Sequence, residues 1–393
     1  MGAPLPRTVR SLGLVSLLTD ASSEMIYPLL PAFLTGTLRA GPAFLGVVEG
    51  LAETVAAALK IVSGRVSDRL PRRKPLVVAG YALSSLVRPA VALATAPVHV
   101  LAVRLLDRAG KGVRSAPRDA LLAAVVARED RGRAFGFQRA MDHAGAMVGP
   151  LLASAAMLVT SDLRVVFALA AVPAVLAVLA LVLGVREAPR APDARPAAGQ
   201  SPPARAPLEP GFLRYLGVLA LFTLGNSSDA FLLLRAQETG VALAAIPALW
   251  ALHHLVKAGA STWGGALSDR VGRRRVILAG WSVYALAYAG FAVAASPLAV
   301  AGLFAVYGLF HALSEGAERA LVTDLAGEST RGRAFGLFHA VTGAALLPAS
   351  LLTGLLWQRF GAPAALGAGA VLAALAALGL LGLVPEPAGE NLG

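Results

Sequence analysis

Asp20 and Glu24 stand four residues apart inside an apolar stretch that begins near Ser11. That spacing places both carboxyls on one face of a helix. Glu49 and Glu53 repeat the arrangement in the next apolar stretch. A later stretch carries Arg104, Asp107, Arg108, Lys111, Arg114, Arg118 and Asp119, a charged stripe along a helix. Asp142 and His143 follow it. The second half of the chain adds Asp229, then His253, His254 and Lys257, then His311, Glu315, Glu318 and Arg319, and finally His339. An ionisable group at membrane depth costs several kcal/mol, so such groups must face water or one another.

Two kinds of chemistry fit these residues. A buried carboxyl holds its proton more tightly, and an approaching arginine loosens it. A carboxyl that meets both surroundings in turn carries protons. Asp20 and Glu24 are the first candidates, then Asp142 and Asp229. Arg104, Asp107, Arg108, Lys111, His143 and Glu315 complete the expected substrate and proton-coupling set. A guanidinium stays charged when buried, so it can keep a carboxylate ionised or hold an anionic solute. The alternative is that Asp20 and Glu24 are fixed partners of Arg104, Arg108 or Lys111, fastening the first helix to the fourth.

Other chemistries find little support. The chain has no cysteine, which excludes disulfides and thiolate catalysis. His253 and His254 project about 100° apart on a helix, and no His-x-x-x-His pair occurs. No metal or other cofactor is expected. No nucleophile and base stand at catalytic spacing, so an enzyme is not expected. A membrane enzyme acting on lipid head groups is the remote alternative.

The elements that must position these residues are apolar segments. Hydrophobic residues make up 56% of the chain and charged ones 15%, against about 25% charged in a soluble domain. A spanning helix needs about 20 mostly apolar residues. Twelve such segments are expected, at 11–35, 43–63, 75–95, 97–122, 134–157, 164–185, 212–236, 243–263, 275–295, 298–323, 333–357 and 363–384. Three units follow: a six-helix bundle over 1–186, a Pro/Ala/Arg-rich linker over 187–211, and a second bundle over 212–393. The linker is too polar to bury a core.

The net charge is +12, and basic residues cluster in short loops on one side of these segments, with little beyond Arg39, Arg164 and Arg359 in the loops opposite. The positive-inside rule explains it, placing the basic side and both termini in the cytoplasm of a plasma-membrane protein. No nucleic-acid partner is expected.

Two strings occur twice. Gly64-Arg-Val-Ser-Asp68-Arg69-Leu-Pro71-Arg72-Arg73-Lys74 returns as Gly265-Ala-Leu-Ser-Asp269-Arg270-Val-Gly272-Arg273-Arg274-Arg275, and Arg131-Gly-Arg-Ala-Phe-Gly136 returns unchanged at Arg331–Gly336. Both shifts are about 200 residues, as a duplicated six-helix plan requires. The Gly-x-x-x-Asp-Arg-x-Gly-Arg-Arg-Arg string between the eighth and ninth segments resembles the loop signature of the major facilitator superfamily. The earlier copy matches it except that Pro71 stands for the second glycine and Lys74 for the last arginine.

The resemblance implies an all-α membrane protein whose two pseudo-symmetric bundles enclose a cavity opening alternately to each side. Asp68 and Asp269 fall where a helix end meets water. A carboxylate there can cap helix amides and pair with arginines of a neighbouring loop, so these aspartates, with Arg69 and Arg270, are expected to bias the gate or fix topology. Gly145-Ala-Met-Val-Gly149-Pro150 looks like the Gly-x-x-x-Gly-Pro element of the superfamily's antiporters. Small residues there also let helices approach closely. Arg104 falls where those antiporters carry a helix-4 arginine, but Arg108 replaces the glycine that should follow.

The expectation is a secondary transporter, a monomer in membrane lipid, exchanging protons for a small polar or charged solute. Proton symport of an organic anion or metal chelate is the alternative.

Overall fold

A computed structural model describes residues 5–127, 130–187, 208–326 and 330–385. Most of the expected linker lies outside the described residues. Those residues form helices and no strand.

In the first half the helices are α1 (Arg7–Ile26), α2 (Pro42–Arg69), α3 (Lys74–Val87), α4 (Pro97–Ala124), α5 (Arg131–Val159) and α6 (Leu163–Gly184). In the second half they are α7 (Pro210–Glu238), α8 (Ile246–Val271), α9 (Arg273–Val293) and α10 (Pro297–Leu325). The last stretch, Arg331–Leu383, breaks at Gly361, whose φ of 83° is left-handed, into α11 (331–360) and α12 (362–383). Glycine alone adopts that conformation at no steric cost.

All-α architecture and the order of segments follow the expectation. Seven stretches are long and apolar enough to cross a membrane on composition alone, with Arg331–Leu383 counted once. The rest, α1, α2, α4 and α8, are rich in ionisable residues, so their own hydropathy does not declare them.

Two local departures matter. After Ile26, α1 tightens into a 3-10 turn at Tyr27–Leu29 and widens into a π turn at Phe33–Thr37. Pro28 and Pro31 lack the amide hydrogens that would continue a regular ladder. α7 is not one continuous helix: it unwinds after Gly225 and resumes at Ala230. Asp229 therefore lies at a helix break rather than within a regular turn.

The chain forms two compact units. The first gathers described residues of 1–40, 51–196 and 242–251. In it α1 lies along α5 and α6, and α3 along α4. The second gathers those of 41–50, 197–241 and 252–393. In it α7 packs on α12 through Gly225 and Gly369, and α9 meets α10 where Gly280 faces Ser314. The first ten residues after Ala40 thus group with the later helices, and the opening of α8 groups with the earlier ones.

Both Arg-Gly-Arg-Ala-Phe-Gly copies form the first turns of a helix, α5 and α11. Gly272, the second glycine of the later loop string, has φ 99° just before α9. Pro71 cannot adopt that angle, which is why the first loop takes a different path into α3.

Candidate functional site

The charged stripe of α4 is anchored first by an aspartate. Arg88, in the 3-10 turns that follow α3, reaches Oδ1 of Asp107 with Nε at 3.2 Å and Nη2 at 2.9 Å. Its Nη1 donates to the Thr19 carbonyl on α1 at 3.1 Å. Arg104 Nη1 stands 3.9 Å from the other oxygen, Oδ2. Both side chains of the Arg88–Asp107 pair are about as buried as they can be, at 5% and 3% exposure. Two cations around one buried carboxylate satisfy its charge and tie α1, α3 and α4 together. Arg88 was not among the expected residues; an arginine before Pro89 in an otherwise apolar segment was its signal.

The next arginines find other partners. Arg108 Nε meets Glu53 of α2 at 3.1 Å. Arg114 donates to Ser84 at 2.7 Å and lies over the Tyr81 ring at 4.3 Å. Arg118 reaches Asp119 at 2.9 Å and comes within 4.0 Å of Asp142. Asp142 also accepts from Gln138 at 3.4 Å. Gln138 donates in turn to Ser16 of α1. His143 sits beside Asp142 on α5, half-buried.

Asp20 and Glu24 are not fastened to α4. Among the described residues neither forms an ion pair with Arg104, Arg108 or Lys111. Glu24 accepts from the indole N–H of Trp250 at 2.7 Å. The Trp250 ring stands 5.5 Å from that of Tyr27, over which Arg104 lies. Asp20 has no hydrogen bond or ion pair among the described residues, and it is half-buried. The charges nearest it in effect are Asp142, Lys111, Glu24 and Arg114. The Lys111 ammonium likewise has no ion-pair partner among the described residues, and its side chain is exposed. Asp107 and Glu53 take the direct ion pairs of Arg88, Arg104 and Arg108, and the α4 cations act on Asp20 and Glu24 through charge rather than through a direct ion pair.

Gly145 and Gly149 set the position of Asp20. A Cβ on Gly145 would strike the Leu17 carbonyl and crowd the Asp20 Cβ, and one on Gly149 would strike the Ala21 carbonyl. Pro150 follows inside the same helix. The Gly-x-x-x-Gly-Pro string is thus where α5 lies flush on α1.

In the second unit Tyr307 donates to Oδ1 of Asp229 at 2.5 Å. Tyr284 and Tyr288 stack at 4.1 Å, and His253 stacks on Tyr307 at 5.0 Å. Lys257 pairs with Glu315 at 2.9 Å. Chain-wide composition does not reveal this gathering of tyrosines and histidines. The tryptophans Trp281 and Trp357 donate to Glu318 and Glu238, each at 2.9 Å.

The loop aspartates differ from expectation. Asp68 and Asp269 lie in the last turns of α2 and α8, where the free backbone groups are carbonyls, so neither caps amides. Their arginine partners come from their own loops: Arg73 at 3.7 Å from Asp68, and Arg273 for Asp269. Arg273 also reaches Asp324 of α10 at 3.5 Å. Arg69 and Arg270 are exposed. The amides at the start of α3 are capped instead by Glu187, which accepts from the N–H groups of Arg73 at 2.8 Å and Lys74 at 2.7 Å.

Known proteins share this plan. The family model described as Major Facilitator Superfamily matches residues 12–252 and 215–393. The chain belongs to the Major Facilitator Superfamily. It is 36% identical over 361 residues to an uncharacterized MFS-type transporter of Methanocaldococcus jannaschii, covering 90% of this chain and 89% of the relative. Over 150 residues, 37% of each chain, it is 31% identical to the multidrug resistance protein MdtH of Photorhabdus laumondii. In fold it is similar to the nucleoside transporter NupG, with a TM-score of 0.77 at 14% identity over 95% of this chain and 98% of that one. A bacterial homolog of the lysosomal transporter Spinster gives 0.77 at 17% identity, over 96% and 97%. The protein is therefore a multi-pass membrane transporter of this superfamily.

Proposed function

We propose that the protein is a secondary active transporter working by alternating access, and that it exports a small polar or charged solute in exchange for protons. The observation that carries this reading is the contrast among the α1 and α4 charges. Asp107 and Glu53 are matched by arginines in direct ion pairs, whereas Asp20 and Lys111 make no direct ion pair among the described residues. A matched pair holds helices together. An unmatched half-buried carboxylate is costly unless it meets a proton or a solute cation. Glu24, held by a neutral donor, and Asp142, near Arg118, complete the coupling group. The partial relative named for multidrug resistance supports efflux. The basic loops support an orientation with both termini in the cytoplasm of the plasma membrane.

Symport of an organic anion draws on the basic stripe of α4. With Arg104 turned to Asp107 and Arg108 to Glu53, the stripe offers an anion less charge than its sequence suggests.

The test is reconstitution into liposomes with an imposed proton gradient and a fluorescent reporter of internal pH. Cationic, zwitterionic and anionic solutes are added in turn. A cationic or zwitterionic solute should dissipate the gradient, and Asp20→Asn should abolish the response. If every solute leaves the gradient intact, or Asp20→Asn transports with unchanged pH dependence, the reading is wrong.

A further inference from the structure

Where α3 begins and α6 ends, the first unit carries a cavity of about 580 Å³ lined by Arg72, Lys74, Pro75, Val78, Val182, Val185, Arg186 and Glu187. It stands at the boundary between spanning helix and loop, since the two membrane-crossing stretches here are Lys74–Leu93 and Leu163–Gly184. Its lining joins an apolar part, Val78, Val182 and Pro75, to a basic one, Arg72, Lys74 and Arg186. We propose that this cavity binds the phosphate of an anionic phospholipid, with the acyl chains lying along Val78 and Val182.

The charges of the lining are unequal in availability. Glu187 is spent on the backbone amides of Arg73 and Lys74. Lys74 Nζ donates to the carbonyls of Val182 at 2.9 Å and Val185 at 2.7 Å, which bridges α3 to α6. Arg72 and Arg186 are exposed, and neither guanidinium has a partner among the described residues. The lining thus presents three cations to one carboxylate, and two forked donors are open. A guanidinium binds a phosphodiester through two parallel hydrogen bonds. Basic pockets between membrane helices at the headgroup level suit anionic lipids.

The carboxylate of Glu187 has a structural consequence for the ligand. It already fills the anion-attracting start of α3, so the phosphate sits on the arginine side rather than at the helix terminus. The apolar wall distinguishes a lipid from a free phosphate. Val182 is 44% exposed and the adjacent Leu183 is 72% exposed, so the wall runs directly into the surface that acyl chains cover.

Native mass spectrometry of the purified full-length protein tests the proposal, using phosphatidylglycerol, phosphatidylcholine and glycerol phosphate as probes. Wild type should retain one phosphatidylglycerol, and neither of the other probes. The double variant Arg72→Gln/Arg186→Gln should bind it roughly 30-fold more weakly, as loss of two surface cations implies. Arg10→Gln/Arg214→Gln removes the same charge from two other exposed arginines and should bind as wild type. Val182→Trp, which fills the groove and keeps every cation, should also lose the lipid. Equal retention of phosphatidylcholine, equal retention by the Arg72/Arg186 variant, or an equal effect of glycerol phosphate would each overturn the assignment.

Discussion

The indole N–H of Trp250 donates to Oε2 of Glu24 over 2.7 Å, joining the first turn and a half of α8 to α1 within one compact unit. Three tryptophans of the chain do the same, each with a glutamate: Trp250 with Glu24, Trp281 with Glu318, and Trp357 with Glu238. An indole has a single donor and no acceptor, and away from water that donor needs a partner. A carboxylate satisfies it with a charge-assisted bond.

Replacing Trp250 by Phe keeps most of the ring volume and removes only the donor. The expected cost is about 1–3 kcal/mol, because Glu24 loses its one hydrogen-bond partner among the described residues. Glu24→Gln retains an acceptor and should cost less. Thermal melting of the two single variants and the double variant in detergent checks this; additive losses would show that the two side chains do not interact.

Asp107 should behave as a structural residue. Asp107→Ala leaves Arg88 and Arg104 as buried charges, at a cost of about 3–5 kcal/mol. The joint replacement Arg88→Met/Asp107→Leu removes charge from both partners and should recover much of that loss. A cycle of melting curves over the two singles and the double measures the recovery.

Asp20 should show the opposite pattern. It has no hydrogen bond or direct ion pair among the described residues to lose, so Asp20→Asn should change stability by less than about 0.5 kcal/mol. It should nevertheless abolish proton-linked transport in liposomes. A large drop in melting temperature would mark Asp20 as a packing residue instead.

The glycines of α5 divide sharply. Gly145→Val and Gly149→Val drive a side chain into the α1 backbone, whereas a Cβ at Gly136 meets nothing within 4 Å. The first two should yield little folded protein by size-exclusion chromatography, through overpacking that cannot relax. Gly136→Ala should be recovered as wild type.

Glu187→Gln keeps the shape of the cap on α3 and weakens its charge, and Glu187→Ala removes it. The alanine variant should lose about 1–2 kcal/mol, as loss of a helix cap does, with the glutamine variant between. Melting temperatures in one detergent order the three proteins.

Much of the architecture was legible in the residues themselves. The expected segments correspond to helices among the described residues, seven of their stretches apolar enough to declare themselves, and the duplicated loop strings and the repeated Arg-Gly-Arg-Ala-Phe-Gly mark helix ends and starts. Hydropathy and period are local properties, and a bilayer-length helix satisfies its own backbone, so no distant contact is needed to recognise it. Proline was also local: Pro28 and Pro31 mark the place where α1 departs from regular geometry.

Pairing was not legible. Asp20, Glu24, Asp107 and Arg104 read alike as charges on apolar helices. The structure separates them, giving Asp107 to Arg88, Glu24 to Trp250 and leaving Asp20 with no hydrogen bond or direct ion pair among the described residues. Arg88 lies 19 residues from Asp107, and Trp250 lies 226 from Glu24. Those distances close only when helices from different parts of the chain pack side by side. Residue type and spacing determined that this chain crosses a membrane and carries charge into it, because both depend on a helix alone. Tertiary packing decided which charges are neutralised and which stay open, because a charge is paired by whatever the fold brings within about 4 Å of it.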